Sequence, residues 1–400
     1  MSDLSPIRNR YEKISYDFTF LDVAFEIKST QLASLYKRWG RCLVVIDINM
    51  KDYFWAHGLE LVIHETKIGE KAKTMDTLLG ICDAMTDFGI IRKGPVLVLG
   101  GGLIIDVAGL GVQHPFWNST LTHYFWGGFP CATYRRTTNF ILIPTTAIGL
   151  IDASVSIKVA VNHGKYKNLL GAYHAPLHTF LDFTFLRTLP EAQVRNGFAE
   201  LVKISTCADY RTFELLDAHC EGLIRLKFGR ADGSSEELKS ASDTINHRSI
   251  HVMLKLETPN LHEVGLLRVI VHGHTWNPTL ELAPETPLRH GHAISVDMAY
   301  SATLALLKGL ITPEDHARIL ALFSRAGLTV DDPLFDEELL AAGTQAILKT
   351  RDGKLRAAIP APLGECLFLN NVTREEMEVA LMMHKETCKS LPRKGAGLDA

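Results

Sequence analysis

The stretch "VLVLGGGLIIDVAG", residues 96–109, joins an apolar, β-branched run to a helical pattern through three consecutive glycines. A strand that enters a helix through glycines lets backbone N–H groups and the helix N-terminus approach a pyrophosphate. Gly100 and Gly102 fill the first two positions of the G-x-G-x-x-G pattern, but Ile105 stands at the third. The stretch therefore predicts a strand, a turn and a helix that either bind a nucleotide or only make a tight turn.

The first half of the chain repeats this alternation of strands and helices. "CLVVIDIN" (42–49) and "NFILIPTT" (139–146) are further strand patterns, and "ASVSIKVAV" (153–161) is a strand or hairpin. Asp47, near the end of "CLVVIDIN", can accept a hydrogen bond from a ribose hydroxyl or form a turn. The alternation predicts a Rossmann-like, nucleotide-binding α/β domain over residues 1–184.

The second half has a different pattern. From about Phe185 the chain consists of long amphipathic stretches, which predict a mainly α-helical domain over residues 185–400. Thr312 precedes one helix, and Thr373 with Glu376 forms a capping box before another. The closing "RKGAGLDA" is rich in small residues and is expected to be frayed.

Composition narrows the class of protein. The 400 residues carry a formal charge of −3 and are 46% hydrophobic, so no overall basic field favours nucleic acid or an anionic membrane. No apolar run approaches the ~18 residues of a membrane span, and the first residues lack an apolar signal segment. The seven cysteines form no C-x-x-C pair and are expected to be reduced and mostly buried. We expect a cytoplasmic protein that holds any anionic substrate with local cations.

Four histidines fall in two His-Gly-His motifs, residues 272–274 and 290–292. One histidine of each motif with Glu200 would make a three-ligand site with an open position, as catalytic zinc requires. In the other interpretation Glu200 pairs with Lys203, three residues along the same helix face, and the histidines cap helices or fill loops. The residues alone favour the second interpretation.

A group of cations and one amide follows the predicted nucleotide loop. Such a group suits a phosphate monoester, although any single lysine is more often a solvated surface residue. Its members are Arg135, Arg136, Lys158, Lys165, Lys167 and Asn168.

Six motifs resemble a known family over nearly the whole chain. "GGGLIIDVAG", "PTTAIGLIDASVSIK", "KNLLGAYH", "FLRTLPEAQVRNGFAELVK", "GHTWNP" and "HGHAISVDMA" resemble the sugar phosphate cyclases, the superfamily of 3-dehydroquinate synthase. "LIDASVSIKVAVNHGKYKN" and "LETPNLHE" are typical of the branch that acts on sedoheptulose 7-phosphate. The resemblance implies a dehydroquinate synthase-like fold, NAD, a divalent metal (zinc, with cobalt as the alternative) and a homodimer.

The resemblance also implies the site residues. The metal ligands would be Glu200, His274 and His290, with His272 and His292 in supporting positions. The residues contacting NAD would be Asp47, Gly101, Gly102, Asp106, Thr145, Thr146 and Thr188. The residues facing substrate would be Asp152, Lys158, Lys167, Asn168 and Lys203, with Lys158, Asn168 and Arg135 on the phosphate and Arg135 reaching a partner subunit's site.

The implied reaction uses NAD without consuming it. NAD oxidises a ring carbinol, phosphate is eliminated, the hydride returns, and the opened enol closes as an intramolecular aldol. Lys158 and Lys203 would stabilise oxyanions and move protons, and a nearby metal is expected to lower their pKa.

Two positions bear on the product. Val271 and Thr350 stand where valiolone synthases of this family carry Asp and His. They favour desmethyl-4-deoxygadusol, the first intermediate of mycosporine-like amino acid synthesis, over 2-epi-5-epi-valiolone. Pro278 stands where 3-dehydroquinate synthases have their second "GHTIGH" histidine, which disfavours that activity.

Two length differences set the chain apart from the family. An aromatic-rich insert occupies residues 110–130, and the segment between Asn49 and Tyr53 is short. We predict that they weaken NAD binding. Two alternatives stay open: a non-catalytic NAD- or metal-binding homologue disabled by the insert, and a metal-dependent polyol dehydrogenase that releases NADH.

Overall fold

The computed structural model describes residues 14–400 apart from 27–28, 50–58, 68, 92, 110–129, 165, 282 and 351. The insert, save its last residue, and the short segment after Asn49 therefore lie outside the described residues, as does Lys165.

The described chain forms ten strands and twelve α-helices. The strands are β1 (Asp17–Leu21), β2 (Arg41–Asp47), β3 (Glu60–Thr66), β4 (Val96–Gly100), β5 (Phe140–Pro144), β6 (Lys158–His163), β7 (Tyr166–Tyr173), β8 (His178–Asp182), β9 (Ala357–Pro360) and β10 (Cys366–Leu369). The helices are α1 (Gln31–Tyr36), α2 (Met75–Phe88), α3 (Gly102–Gly109), α4 (Pro130–Thr133), α5 (Glu191–Ala208), α6 (Tyr210–Arg225), α7 (Glu236–Glu257), α8 (Asn277–Glu281), α9 (His290–Leu307), α10 (Pro313–Arg325), α11 (Glu337–Thr350) and α12 (Arg374–Lys389).

Six parallel strands form the central sheet, in the order β1-β8-β5-β4-β2-β3. The inner strands β4 and β5 are buried along their whole length, which is why they read as unbroken apolar runs. The chain leaves β2 towards β3 and later returns to β4 on the other side of β2. This reversal of strand order makes a crevice at the carboxyl ends of β2 and β4, where such sheets bind ligands.

A hairpin of β6 and β7 packs against α3. The hairpin interpretation of the 153–161 pattern is confirmed from Lys158 onward, whereas Ala153 ends the π-helical turn Gly149–Ala153 and residues 154–157 form no strand. The hairpin brings Lys158 and Lys167 to carboxylates of the helical half of the chain, and Asn168 to Lys73.

The helices after β8 enclose one large apolar core, as the mainly α-helical prediction requires. α9 is buried on all sides over most of its length, and α5 is buried from Val194 to Cys207. Gly291 lets the two helices meet, because a Cβ there would lie 2.7 Å from the Asn196 Cα. The Gly291 N–H donates to Asn196 Oδ1, which fixes the start of α9 beside the middle of α5.

The predicted helix starts are confirmed. Thr312 Oγ1 accepts from the N–H of Asp315, and Thr373 with Glu376 forms both hydrogen bonds of a capping box. All seven cysteines are free, and six of them are buried. None of the described helices combines the length and apolarity that a membrane crossing needs.

The prediction of a frayed C-terminus is wrong. The Leu398 N–H donates to the Gly327 carbonyl at 2.8 Å, and Arg195 Nη2 donates to Asp399 Oδ2 at 2.9 Å. Gly397 lies so close to His292 that a Cβ would be 2.6 Å from the ring Nδ1. Specific contacts, which composition does not reveal, hold the tail on the helical core.

Candidate active site

Glu200, His274 and His290 converge from three separate elements. Glu200 lies in the middle of α5, His274 follows a 3₁₀ turn, and His290 begins α9. Their ligand atoms all lie within 4.8 Å of one another, and the His290 Nε2 is 3.1 Å from Glu200 Oε1. Two imidazole nitrogens and one carboxylate are a donor set that suits zinc.

Hydrogen bonds orient both rings. His274 Nδ1 lies 3.1 Å from the His272 carbonyl, which leaves Nε2 of His274 available. His290 Nδ1 lies 3.1 Å from Glu281 Oε2, so its Nε2 points to Glu200. An acceptor behind each ring is the usual arrangement for metal-binding histidines.

The protonation states of His274, His290 and Glu281 follow from burial and from neighbouring charges. Burial and the Lys203 cation lower the pKa of His274 to about 3, so this ring is neutral, as a metal ligand must be. Burial also opposes a charge on His290, but Glu200 and Glu281 outweigh it and raise its pKa to about 9. Burial opposes ionisation of Glu281, yet His290 and Lys167 lower its pKa to about 2.

Lys203 joins this group to Asp152. Its Nζ lies 2.5 Å from Glu200 Oε2 and 3.2 Å from Asp152 Oδ2. Burial disfavours the ammonium, but these two carboxylates raise the pKa of Lys203 above its usual value. Glu200 Oε2 is buried and accepts no aligned hydrogen bond, so the carboxylate retains a lone pair for a further cation. On this observation the residues fit a bound metal ion.

Lys167 extends the chain of charges at the other end. Its Nζ lies 2.5 Å from Glu281 Oε1, on the opposite oxygen from the one that contacts His290. Alternating charges therefore run without a break through five side chains. In order they are Lys167, Glu281, His290, Glu200 and Lys203.

Lys158 stands at the start of β6 between two carboxylates. Its Nζ lies 3.1 Å from Glu257 Oε1 and 3.1 Å from Glu263 Oε1. Burial opposes the charge, but the carboxylates of Glu257, Glu263 and Asp152 raise the pKa of Lys158. Asp152 thus contributes to the surroundings of both Lys158 and Lys203.

The carboxyl ends of β2, β4 and β5 form the nucleotide half of the site. Gly100 has φ +155°, and a Cβ there would lie 3.2 Å from the Asp47 Cβ and 2.5 Å from a methyl of Ile104. A Cβ on Gly101 would lie 2.9 Å from Thr146 Cγ2. The glycines are thus required by close packing, and α3 begins at once with its N-terminus at the crevice.

The threonines after β5 complete this wall. The Thr145 N–H donates to the Gly100 carbonyl at 3.0 Å, and Thr146 Oγ1 accepts from the Gly149 N–H at 3.1 Å. A Cβ on Gly102 would lie 3.4 Å from the Ala153 Cβ.

Lys73 is a buried cation whose role was not predicted from the sequence. It donates to Asp106 Oδ2 at 2.6 Å and to Asn168 Oδ1 at 2.5 Å. Asp106 comes from α3 and Asn168 from the hairpin, so Lys73 joins a predicted NAD contact to a predicted phosphate contact. Its position just before α2 gave no signal, because the residues it pairs with are far away in the chain.

The comparisons with known proteins agree over nearly all of the chain. Residues 125–196 match the family model of the 3-dehydroquinate synthase N-terminal region, and residues 197–346 match that of the C-terminal region. The chain is 51% identical to "Demethyl-4-deoxygadusol synthase" of Trichormus variabilis, over 97% of this chain and 92% of that protein. This chain belongs to the sugar phosphate cyclases.

Two further members of the family are less similar. A 2-epi-5-epi-valiolone synthase of an Actinoplanes species is 35% identical over 94% of this chain and 92% of that protein. The structure of the 2-epi-5-epi-valiolone synthase of Streptomyces hygroscopicus subsp. jinggangensis, which contains NAD+ and Zn2+, superposes with a TM-score of 0.82 at 32% identity. That match covers 95% of this chain and 99% of the other. The Rossmann-like domain and the helical domain are therefore the fold of this family.

Some site residues that the cyclase resemblance implies do not make the expected contacts in the structure. Thr188 is exposed, and its hydroxyl donates to the Phe185 carbonyl at 3.2 Å. Arg135 is exposed, with its guanidinium 5.8 Å from the centre of the Tyr134 ring. Asn168 contacts Lys73 rather than Lys158. Their roles remain predictions.

His272 and His292 have structural partners. His272 Nδ1 lies 2.8 Å from the Ala358 carbonyl, and His292 Nδ1 accepts from the Thr329 N–H at 3.2 Å. Both are buried, and burial lowers the pKa of each to about 4. Glu200 fits both interpretations made from the sequence, the ion pair and the metal site, because it contacts Lys203 and also faces His274 and His290.

The protein groups around the lysines act against one expectation. A nearby metal was expected to lower the pKa of Lys158 and Lys203, whereas their carboxylate neighbours raise the pKa of each. Glu281, which orients His290, was also missed. Its only signal is its place in the short helix that begins within "GHTWNP", where a buried acid requires a partner.

Proposed function

We propose that this sugar phosphate cyclase converts sedoheptulose 7-phosphate to desmethyl-4-deoxygadusol, using NAD and a divalent metal. The observation that carries the proposal is the Glu200–His274–His290 group, in which Glu200 is buried and the two histidines are partly buried, with Lys203 in direct contact and the glycine crevice in the same molecule. Zinc is the proposed ion, and cobalt is the alternative that the donor set admits.

Three residues would hold the metal: Glu200, His274 and His290. Bound there, a divalent ion supplies Lewis acidity to a substrate hydroxyl. Glu281 and the His272 carbonyl hold Nδ1 of His290 and of His274, which would leave Nε2 of each ring for the ion.

The crevice at the carboxyl ends of β2, β4 and β5 would hold the NAD, whose nicotinamide supplies reversible hydride transfer. The N-terminus of α3 would face the pyrophosphate, and Asp47 would accept a ribose hydroxyl. The residues proposed to contact it are Asp47, Gly101, Gly102, Asp106, Thr145, Thr146 and Thr188.

Lys203 is the proposed oxyanion-stabilising group. An ammonium has three donors, one of which donates to Asp152, while Glu200 pairs with the charge of Lys203. The raised pKa keeps Lys203 charged, so it stabilises negative charge on a substrate oxygen, while the Asp152 carboxylate accepts a proton. Lys158, Lys167, Asn168 and Arg135 are proposed to bind substrate, the phosphate among its groups.

The product assignment is supported by similarity and by one buried side chain. Identity is 51% to the demethyl-4-deoxygadusol synthase and 35% to a 2-epi-5-epi-valiolone synthase. Val271, whose carbonyl accepts from the His274 N–H, puts an apolar side chain where valiolone synthases have a carboxylate. 2-Epi-5-epi-valiolone is the alternative product. We further propose two domains divided near residue 184, a cytoplasmic homodimer, and Arg135 at the partner subunit's site.

Cofactor turnover separates this proposal from its rivals. With metal, NAD and sedoheptulose 7-phosphate, we expect phosphate release without accumulation of NADH. Steady NADH accumulation would indicate a polyol dehydrogenase instead. Neither phosphate nor NADH, with NAD bound, would indicate a non-catalytic homologue.

A further inference from the structure

The turn that carries His274 packs directly against the helix that begins with His290. Gly273 has φ +74°, and a Cβ there would lie 2.7 Å from the Met298 Cγ and 3.2 Å from the Ile294 carbonyl oxygen. The backbone of the turn therefore touches α9 without an intervening side chain. A shift of the turn along α9 would change the separation of the two histidines.

One side chain of α9 fixes this turn through hydrogen bonds. Asp297 is fully buried, and its Oδ2 accepts three backbone hydrogen bonds at 2.6 to 2.9 Å. The donors are the N–H groups of Thr275, Trp276 and Asn277, the three residues that follow His274 directly. Hydrogen bonds to a carboxylate are stronger than those to a neutral acceptor, so this turn is held more firmly than an ordinary loop.

Asp297 and the turn stabilise each other. Burial raises the pKa of Asp297 to about 6, while the three N–H groups act in the opposite direction, so the side chain is mainly ionised at neutral pH. Its other oxygen, Oδ1, accepts from the Ser301 hydroxyl at 3.3 Å. A buried charge requires donors of this kind, and buried N–H groups equally require an acceptor.

The anchored residues lie between two parts of the metal half of the site. His274 precedes them, and Asn277 begins α8. The last residue of α8 is Glu281, which contacts Nδ1 of His290. Because α8 has only five residues, a displacement of its first residue would also displace its last. One carboxylate therefore fixes a proposed ligand and, through α8, the acid behind the second ligand.

The position of Asp297 on α9 makes this arrangement rigid. Asp297 follows His290 by seven residues, which is close to two helical turns, so both lie on the same face of the helix. α9 is buried over most of its length. It supplies one proposed ligand itself and holds the backbone that carries another.

We propose that Asp297 is a positioning residue for the metal site, which it shapes by holding the turn after His274 and the start of the helix that ends at Glu281. The inference rests on the proposed function and deepens it, because it names a residue that sets metal affinity without being a ligand. Its removal leaves all three proposed ligands in the chain but frees the backbone that places one of them.

The test uses two variants of Asp297 and one matched control. D297A leaves the three N–H groups without their acceptor, whereas D297N keeps an oxygen but loses the charge. D182A is the control, because Asp182 is equally buried and accepts from the N–H groups of Ala24 and Thr184 at 2.6 and 2.8 Å, at the end of β8. Chelator competition measures zinc affinity, the visible spectrum of bound cobalt(II) reports its ligands, and urea denaturation of the metal-free protein measures stability.

We expect D297A to lower zinc affinity about a hundredfold and D297N about tenfold, the range found when a residue that orients a ligand is lost. The cobalt spectrum of D297A should differ from that of the wild-type protein. D297A and D182A should both lower the stability of the metal-free protein, because each leaves buried N–H groups without an acceptor. D182A should nevertheless retain the zinc affinity and the cobalt spectrum of the wild-type protein.

The outcomes separate this role from the proposed reaction. Wild-type zinc affinity in D297A, or an equal loss in D297A and D182A, would overturn the positioning role even if phosphate is released. If D297A does not fold, wild-type zinc affinity in D297N would overturn it. A selective loss in the Asp297 variants would support the role even if the wild-type protein, loaded with metal and NAD, releases no phosphate. Failure of the wild-type protein to bind zinc or cobalt would overturn both.

Discussion

The two halves of the site depend on different kinds of interaction. The metal half is the chain of charges from Lys167 to Lys203, in which each carboxylate contacts a cation. The nucleotide half is shaped by glycines, threonines and backbone atoms, and Lys73 is the single buried cation among its described contacts. Removing a charge from the first leaves its partners uncompensated in a low-dielectric setting. Adding an atom to the second creates a local clash that a neighbour can relieve. The first half should therefore be the more sensitive to substitution.

Glu200→Gln should have the largest effect. The amide cannot compensate Lys203 or His290, so we expect loss of the bound metal, loss of phosphate release and a fall in unfolding free energy of about 3 kcal/mol. Metal content and urea denaturation measure these changes. Glu386→Gln, in an exposed pair, is the control. A variant that keeps one metal per chain and full stability would contradict the proposed metal site.

Glu281→Gln should affect metal binding without removing a ligand. Loss of the carboxylate behind His290 should lower metal affinity about tenfold to a hundredfold. Competition with a chelator measures the affinity, and Glu285→Gln, an exposed acid four residues along the chain, is the control. If the two variants bind metal equally well, Glu281 does not orient the ligand.

Gly101→Ala should act only on the nucleotide half. The new Cβ would lie 2.9 Å from Thr146 Cγ2, and relieving such overpacking should lower NAD affinity about tenfold. Thr146→Ser in the same chain removes that methyl but keeps the hydroxyl that accepts from Gly149, so it should restore most of the affinity. Metal affinity should not change. Failure of the double variant to recover would show that the clash is not the cause.

Deleting residues 110–129 should have the smallest effect. We predict a several-fold rise in NAD affinity, because the insert follows α3 directly and is an addition to the family pattern. Fluorescence titration with NADH measures it. Unchanged or lower affinity would show that the insert does not weaken the nucleotide site.

The same difference explains how much the sequence could predict. The strands around the crevice could be predicted from the sequence, because burial on both faces gives unbroken apolar runs. Gly100 and Asp47 lie where those runs end. The His-Gly-His motifs were ambiguous, because four histidines at equal spacing do not reveal which two face Glu200. The family resemblance resolved that choice, and the structure brings the same three side chains together.

The missed residues share one physical property. Lys73, Glu281 and Glu263 each contact at least one partner that is distant in the chain, which for Glu281 is Lys167, so local spacing does not reveal their role. The raised pKa of Lys203 was missed for the same reason, since Asp152 lies 51 residues away. The C-terminal tail was misjudged because its anchors, Gly327 and Arg195, are equally remote.

The most direct test of the proposed function is a single incubation. Purified protein is mixed with NAD, zinc or cobalt, and sedoheptulose 7-phosphate, and both phosphate release and the ultraviolet spectrum of the product are followed. We expect phosphate together with a strongly absorbing conjugated enone. Phosphate with a product that does not absorb would assign 2-epi-5-epi-valiolone instead, and no phosphate with NAD still bound would contradict the proposed activity.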